Sequence, residues 1–258
     1  MPRVPKISII TVVFNGEAYL EQTMRSVLSQ DYSRIEYIVI DGGSTDGTLD
    51  IIHRYRDRLA FWVSEKDYGI YDAMNKGLSH VTGDIVGLIN ADDWYEPGII
   101  GWIADVMEIS GADVVHGGMK ILLDDEVLIK PAPVELDELD KGMLLNHPTV
   151  FARASLYRKY GLFNTEYSVA ADWEMMLRWW LNGVEFYADE KIFANFRMGG
   201  LSSTHLRESF EEKHRIRRQH KLYTLVDRSY LYDKMKCLVS EEKLLRISLK
   251  KQTGQKEC

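Results

Sequence analysis

Polar loops rich in carboxylates and amides end three of the apolar runs in this 258-residue chain. The most informative is Asn90-Ala91-Asp92-Asp93, which follows Ile85-Val86-Gly87-Leu88-Ile89. A strand that delivers two adjacent carboxylates into a loop suits a hard divalent cation. Such ions prefer oxygen ligands and share one or two carboxylates with the phosphates of a nucleotide substrate. They offset the charge that builds on a departing diphosphate. The competing reading is a helix N-cap, with Asp92 or Asp93 closing the start of a helix near Pro97.

Asp41 ends Ile35–Ile40 in the same way and opens Asp41-Gly42-Gly43-Ser44-Thr45-Asp46-Gly47. A carboxylate at a sheet rim is placed to accept hydrogen bonds from a base or ribose. The glycines let the backbone approach a ligand closely. The competing reading is that Asp46 or Ser44 only caps the helix that follows. The loop is neither G-x-G-x-x-G nor a P-loop, which argues against a dehydrogenase and an NTPase. Asn15-Gly16 breaks the third run, Ile7–Phe14. Further along, Asp172 opens the helical stretch DWEMMLRWWL and reads locally as its N-cap. Trp173, Trp179 and Trp180 recur there within an apolar stretch, which points to core rather than to sugar-stacking platforms.

The elements that must position these groups alternate. Apolar runs at 7–14, 35–40, 61–64 and 85–89 predict buried strands, and helical spacing falls between them. This pattern predicts an α/β domain with a mostly parallel sheet covered on both faces. Ligands of such sheets bind beyond the carboxyl ends of the strands. Short strands are expected at Val114–Gly117 and Met119–Ile129, with a turn at Asp124-Asp125. Arg197 to Thr204 is the expected boundary. Beyond it, Leu231, Met235, Leu238, Leu245 and Leu249 share one helical face.

Composition is that of a soluble globular protein, with 45% hydrophobic and 28% charged residues. No apolar run approaches the roughly 18 residues of a membrane span, and the start lacks a signal-peptide core, so a cytoplasmic location is expected. Cys237 and Cys258 have no metal-like spacing and are expected as free thiols. The net charge is −7, unevenly spread: from residue 205 on, 14 Lys and Arg stand against 8 Asp and Glu. Such asymmetry suggests a partner. The basic run Lys213–Lys221 suits either an anionic membrane surface or a solvated face packed on the domain. The acidic body argues against nucleic acid.

Four segments occur in order: the strand ending at Asn15-Gly16, IVIDGGSTDGT (38–48), GIYDAMNKG (69–77) and TGDIVGLINADD (82–93). Together they closely resemble glycosyltransferase family 2, in particular the branch that builds bacterial exopolysaccharides such as colanic acid. The resemblance runs on through NHPTVF (146–151), GLFNTEY (161–167) and AADWEMMLRW (170–179), covering roughly residues 6–200. It implies a GT-A fold, a Rossmann-like nucleotide-binding sheet fused to a smaller acceptor-binding half. On that basis residues 1–204 are expected to form the glycosyltransferase domain and 205–258 a basic helical extension.

The resemblance also implies inverting transfer of a sugar from a nucleoside diphosphate donor, with uridine the favoured base. The expected acceptor is a glycan or a polyprenyl-diphosphate-linked sugar, reached from the inner face of the membrane. Position by position, it assigns Asp41 to base and ribose, and Thr11, Asn15 and Glu17 to the nucleotide pocket. Asp92 matches the metal-binding aspartate of the DXD motif for Mn²⁺ or Mg²⁺, with Asp93 as its neighbour. Asn90 stands where many relatives have the first aspartate. Asp172 falls at the catalytic base, usually preceded by Glu, here by Ala171. His147 and Lys76 are expected near the acceptor or the diphosphate, although a structural histidine and a helical pair of Lys76 with Asp72 compete. The departures at Asn90 and Ala171 leave a catalytically degenerate nucleotide-sugar-binding protein as the alternative. A nucleotidyltransferase is disfavoured, because the loop at Asn15–Tyr19 carries no Lys or Arg.

Overall fold

The computed structural model describes residues 4–123, 126–198 and 205–222. Its first half alternates as the apolar runs demand: β1 (Ile7–Val13), α1 (Leu20–Leu28), β2 (Ile35–Asp41), α2 (Thr48–Tyr55), β3 (Phe61–Ser64), α3 (Ile70–Ser79) and β4 (Ile85–Asn90). These four strands are parallel, in the spatial order β3-β2-β1-β4. Their residues alternate between two cores. Ile10, Val12, Ile38 and Ile40 face one, with α3; Ile7, Ile9, Val13 and Val39 face the other, with α1 and α2. Burial on both faces explains why the strands read as continuous apolar runs. α3 lies close on the sheet because residue 77 is glycine: a Cβ there would stand 2.5 Å from Ile10 Cγ2.

The second half is woven into the same sheet less regularly. It comprises β5 (Trp94–Tyr95), α4 (Ile99–Ser110), β6 (Val114–Leu123), β7 (Glu126–Lys130), β8 (Phe151–Arg153), α5 (Ala154–Tyr160), α6 (Ala171–Leu181), β9 (Phe186–Arg197) and α7 (Leu206–Gln219). β8 runs antiparallel to both β4 and β6 and joins the two halves. β6 is one strand of ten residues with an irregularity around His116–Gly118, rather than two short pieces. It pairs in parallel with β9, which carries β5 on its other side.

Two of the expected N-caps are corrected. α4 starts behind Gly98, whose left-handed φ of 71° suits glycine, and no side chain caps it, so neither Asp92 nor Asp93 is a cap. The cap position of α6 is Ala170, which puts Asp172 inside the first turn. At α2 the cap position is Gly47, and Asp46 accepts hydrogen bonds from the backbone N–H and hydroxyl of Thr48. Trp173 and Trp179 are buried in the core as expected, and Trp180 packs against it.

α7 packs on the domain, with Ile216 fully buried and Glu212, His214 and Arg217 nearly so. Among the described residues no helix is long and apolar enough to cross a membrane. The turn at Asp124-Asp125, the stretch 199–204, the helical face from Leu231 to Leu249, and Cys237 and Cys258 lie outside the described residues.

Candidate active site

Because β2, β1 and β4 are neighbours, the loops that follow them share one rim. The first two are laced together. Asn15 adopts a left-handed φ of 50°. Its Oδ1 accepts from the Thr45 N–H at 2.9 Å, and its own N–H donates to Ser44 Oγ at 2.7 Å. Glu17 Oε2 accepts from the Gly47 N–H at 2.7 Å. Asp41 is fully buried and takes four hydrogen bonds, from the N–H groups of Gly43 and Ser44 and the hydroxyls of Ser44 and Ser64. Thr11 is buried against the Tyr37 hydroxyl at 3.0 Å.

In front of this rim lies a cleft of about 670 Å³, within the range of roughly 300–1,000 Å³ usual for ligand pockets. It gathers residues from far apart in the chain: Asn15, Asn90, Asp92, His147 and Asp172 all line it. Thr11, Glu17, Asp41 and Asp93 do not: Thr11, Asp41 and Asp93 are buried away from it, and Glu17 is exposed and braces the Gly47 turn. Lys76 is also outside. Its ammonium pairs with Glu65 at 3.0 Å and Asp72 at 3.5 Å, the helical pairing that competes with a phosphate role.

Four carboxylates line the cleft, from Asp67, Asp72, Asp92 and Asp172, and no Lys or Arg is among the described lining residues. Asp92 is partly buried, which pushes its carboxyl above the usual value; the positive charge of Arg197 opposes this. Asp93 is fully buried, and burial together with the neighbouring Asp92 charge raises it much further. One oxygen of Asp93 accepts the Arg197 N–H at 3.1 Å. The other, like Asn90 Oδ1, is buried without a hydrogen-bond partner among the described residues. The Arg197 guanidinium sits 4.1 Å from the centre of the Tyr19 ring and 5.2 Å from that of Trp94, a cation–π arrangement. Among the described residues no three His, Cys, Asp or Glu side chains are grouped to hold a metal ion.

In the same lining, the Tyr71 hydroxyl lies 3.0 Å from Asp172 Oδ1 and 2.7 Å from the Val169 carbonyl. Its single proton can serve one of them at a time. The Trp173 N–H also donates to Asp172 Oδ1, at 2.8 Å. Burial pushes the His147 imidazole below its usual value, with the Asp172 charge opposing. His147 is therefore neutral near pH 7 and offers one donor and one acceptor to the cleft. The hydroxyl-bonded Asp172 carboxylate and a neutral imidazole suit proton transfer from a bound hydroxyl.

Sequence reading alone does not single out Asp67, Tyr71 or the loop at 165–169, all of which line the cleft. Asp67 leaves a signal in its surroundings. It follows β3 and meets Gly42, where a Cβ would stand 2.4 Å from the Asp67 carboxylate. The glycine at 42 thus admits a carboxylate rather than shaping a turn. The 165–169 loop leaves none, since its residues gain meaning only from the elements that enclose them.

A family model for glycosyl transferase family 2 matches residues 8–163. A Mycobacterium tuberculosis protein named as an uncharacterized glycosyltransferase is 33% identical over 183 residues, covering 69% of this chain and 70% of its own. A PGL/p-HBAD biosynthesis glycosyltransferase of Mycobacterium bovis is 30% identical over 213 residues, covering 80% of this chain and 82% of its own. Among solved structures, S. aureus TarS 1–349 in complex with UDP-GlcNAc superposes with a TM-score of 0.70 at 21% identity, over 88% of this chain and 69% of that one. The mannosyltransferase PcManGT of Pyrobaculum calidifontis, in complex with GDP-Man and Mn²⁺, gives a TM-score of 0.62 at 18% identity, over 83% and 65%.

Proposed function

The chain belongs to glycosyl transferase family 2 and is a glycosyltransferase of the GT-A fold; from that premise we propose that it moves a sugar from a UDP-sugar donor to a hydroxyl of a glycan or lipid-linked acceptor, with inversion, in the synthesis of a bacterial surface polysaccharide. The observation that carries this reading is the cleft itself. It brings Asp92, from the loop after a central strand, and Asp172, from a remote helix, into the lining of one space.

In the proposed reaction the acceptor oxygen attacks the anomeric carbon while its proton passes to Asp172. The bond from that carbon to the diphosphate breaks, and the nucleoside diphosphate leaves with the bonding pair. One displacement of this kind inverts the anomeric centre, as in inverting glycosidases, where a carboxylate also takes the proton of the attacking oxygen. His147 orients the acceptor hydroxyl by a neutral hydrogen bond. Asn15 and Asp67 are assigned to the nucleotide, with Asp41 and Glu17 holding the loops that receive it and Thr11 joining the strands beneath.

A divalent cation, Mn²⁺ or Mg²⁺, fits the residues present. Asp92 is a carboxylate raised by burial, and Asn90, which lines the cleft with it, has a side-chain oxygen without a partner among the described residues. A cleft without basic lining side chains also needs a counter-charge for a diphosphate. Asp92 would hold the ion, which would neutralise charge on the leaving diphosphate. TarS with UDP-GlcNAc and PcManGT with GDP-Man and Mn²⁺ support the donor and metal classes by analogy. We also assign the basic excess after residue 205, where eight of the 14 Lys and Arg fall beyond 222, to an anionic membrane surface near a lipid-linked acceptor.

The test is calorimetric titration of UDP and GDP with and without Mn²⁺, joined to a transfer assay. Asp172→Asn is expected to keep nucleotide affinity and lose transfer by roughly 10²–10⁴-fold. Near-normal transfer by this variant would remove the base assignment. Nucleotide binding by the wild-type chain without turnover of any donor would favour the degenerate reading.

A further inference from the structure

The first turn of α6 carries Asp172, yet no side chain near its cap position closes the helix. The N–H groups of the three residues just ahead of the helix, Ser168, Val169 and Ala170, also need partners. Here the partner comes from another helix, more than 40 residues downstream. Glu212 of α7 is 8% exposed and spends its whole carboxylate on this one loop. Its Oε1 accepts from the N–H and hydroxyl of Ser168 at 2.6 and 2.8 Å. Its Oε2 accepts from the N–H groups of Val169 and Ala170 at 3.0 and 2.9 Å. A carboxylate at the N-terminal end of α6 also has the sign the helix dipole favours.

The rest of α7 grips the same segment. Gln219 accepts from the Tyr167 hydroxyl at 2.5 Å, and Arg215 lies 4.5 Å from the centre of the Tyr167 ring while donating to the Glu166 carbonyl. On the cleft side, Tyr167, Ser168, Val169 and Asp172 form the wall. The Tyr71 hydroxyl then lies within hydrogen-bond distance of both the Val169 carbonyl and Asp172 and donates to one or the other. An unbroken line of contacts therefore runs from Glu212 through Val169 and Tyr71 to Asp172. All of it except Tyr71 lies beyond residue 163, where the match to the family model ends.

We propose that Glu212 is a positioning residue for transfer: it sets the 166–170 loop, and through that loop the placement and hydrogen bonding of Asp172. This rests on Asp172 acting as the base. Misplacement of a reacting group by about 1 Å costs on the order of a hundredfold in rate. Glu212→Gln turns an amide NH₂ toward backbone donors and breaks about half of the clasp.

The experiment compares Glu212→Gln, Glu212→Asp and Ser168→Ala with the wild type and with Asp172→Asn, in the full chain. It reads kcat, acceptor KM, nucleotide affinity by calorimetry, the pH profile of kcat/KM and the unfolding midpoint. Glu212→Gln is expected to lower kcat by about tenfold to a hundredfold, with nucleotide affinity kept and the acid limb of the profile displaced. Glu212→Asp should recover part of the rate, and Ser168→Ala should lose severalfold. Wild-type kcat and pH profile in Glu212→Gln would overturn the proposal. So would parallel loss of nucleotide affinity and stability, which marks a purely structural role. If Glu212→Gln fails to fold, an unchanged kcat in Ser168→Ala overturns it. Transfer retained by Asp172→Asn would sink the base assignment instead, independently of Glu212.

Discussion

The strands on either side of β1 end in carboxylates that the chain treats in opposite ways. At the end of β2, Asp41 is fully buried and receives four hydrogen bonds from its own loop and from Ser64. Just past β4, Asp92 sits in the cleft with burial raising its carboxyl, and Asn90 Oδ1 and Asp93 Oδ2 have no hydrogen-bond partner among the described residues. Leaving buried polar atoms unpaired costs about 1–3 kcal/mol each. A fold bears that cost where something else completes the set. Asp41 is thus held by the loop it opens, whereas the β4 end is where the proposed reading puts a ligand.

Exchanging the two carboxylates for amides would break this contrast if it is false. Asp92→Asn should lower transfer by on the order of a hundredfold or more and weaken Mn²⁺-dependent nucleotide binding. Its unfolding midpoint should hold or rise, because the charge beside buried Asp93 is gone. Asp41→Asn should do the reverse. An amide NH₂ would face the donors that now meet a carboxylate, at a cost of about 2 kcal/mol in stability, read by denaturant unfolding. Equal losses of stability in the two variants would erase the distinction.

A third carboxylate sharpens it at the opposite end of β2. Burial alone would raise Glu36, but hydrogen bonds from Lys6, Ser8 and Thr82 overturn that and hold it at about 2, against an ordinary value of 4.5. A carboxyl held low in the folded state stabilises the fold above its unfolded value, and that stability is lost as the pH falls through the folded value. The Glu36 contribution should therefore be intact above about pH 4.5 and vanish towards about pH 2. Glu36→Gln should flatten the acid unfolding profile in that window and leave transfer at neutral pH nearly unchanged.

How far the site could be read from sequence follows the same division. β1 to β4 are buried on both faces, so their apolar runs announce them, and the polar residues that break the runs fall at the rim. Asn15, Asn90 and Asp92 were legible for that reason. The second half follows no local period. β8 has three residues and β5 two, and β9 finds its partners about 70 and 100 residues away. Adjacent aspartates before a helix read as caps, yet Gly98 and Ala170 hold those positions. Asp172 became a base candidate only through the family resemblance. Glu212 carries no sequence signal, because its meaning is a loop more than 40 residues earlier.

The distance between that loop and its cap also orders events in time. A ribosome releases the chain from its N-terminal end, and domains fold in the same direction. β1 to β4, with the loops at 15–16, 41–47 and 90–93, emerge well before residue 171. The N–H groups of Ser168, Val169 and Ala170 then wait for residue 212 before their partner exists. During synthesis the side of the cleft built from those loops can take shape in the nascent chain, while the wall that bears Asp172 gains this partner only as the final fifth of the protein is made.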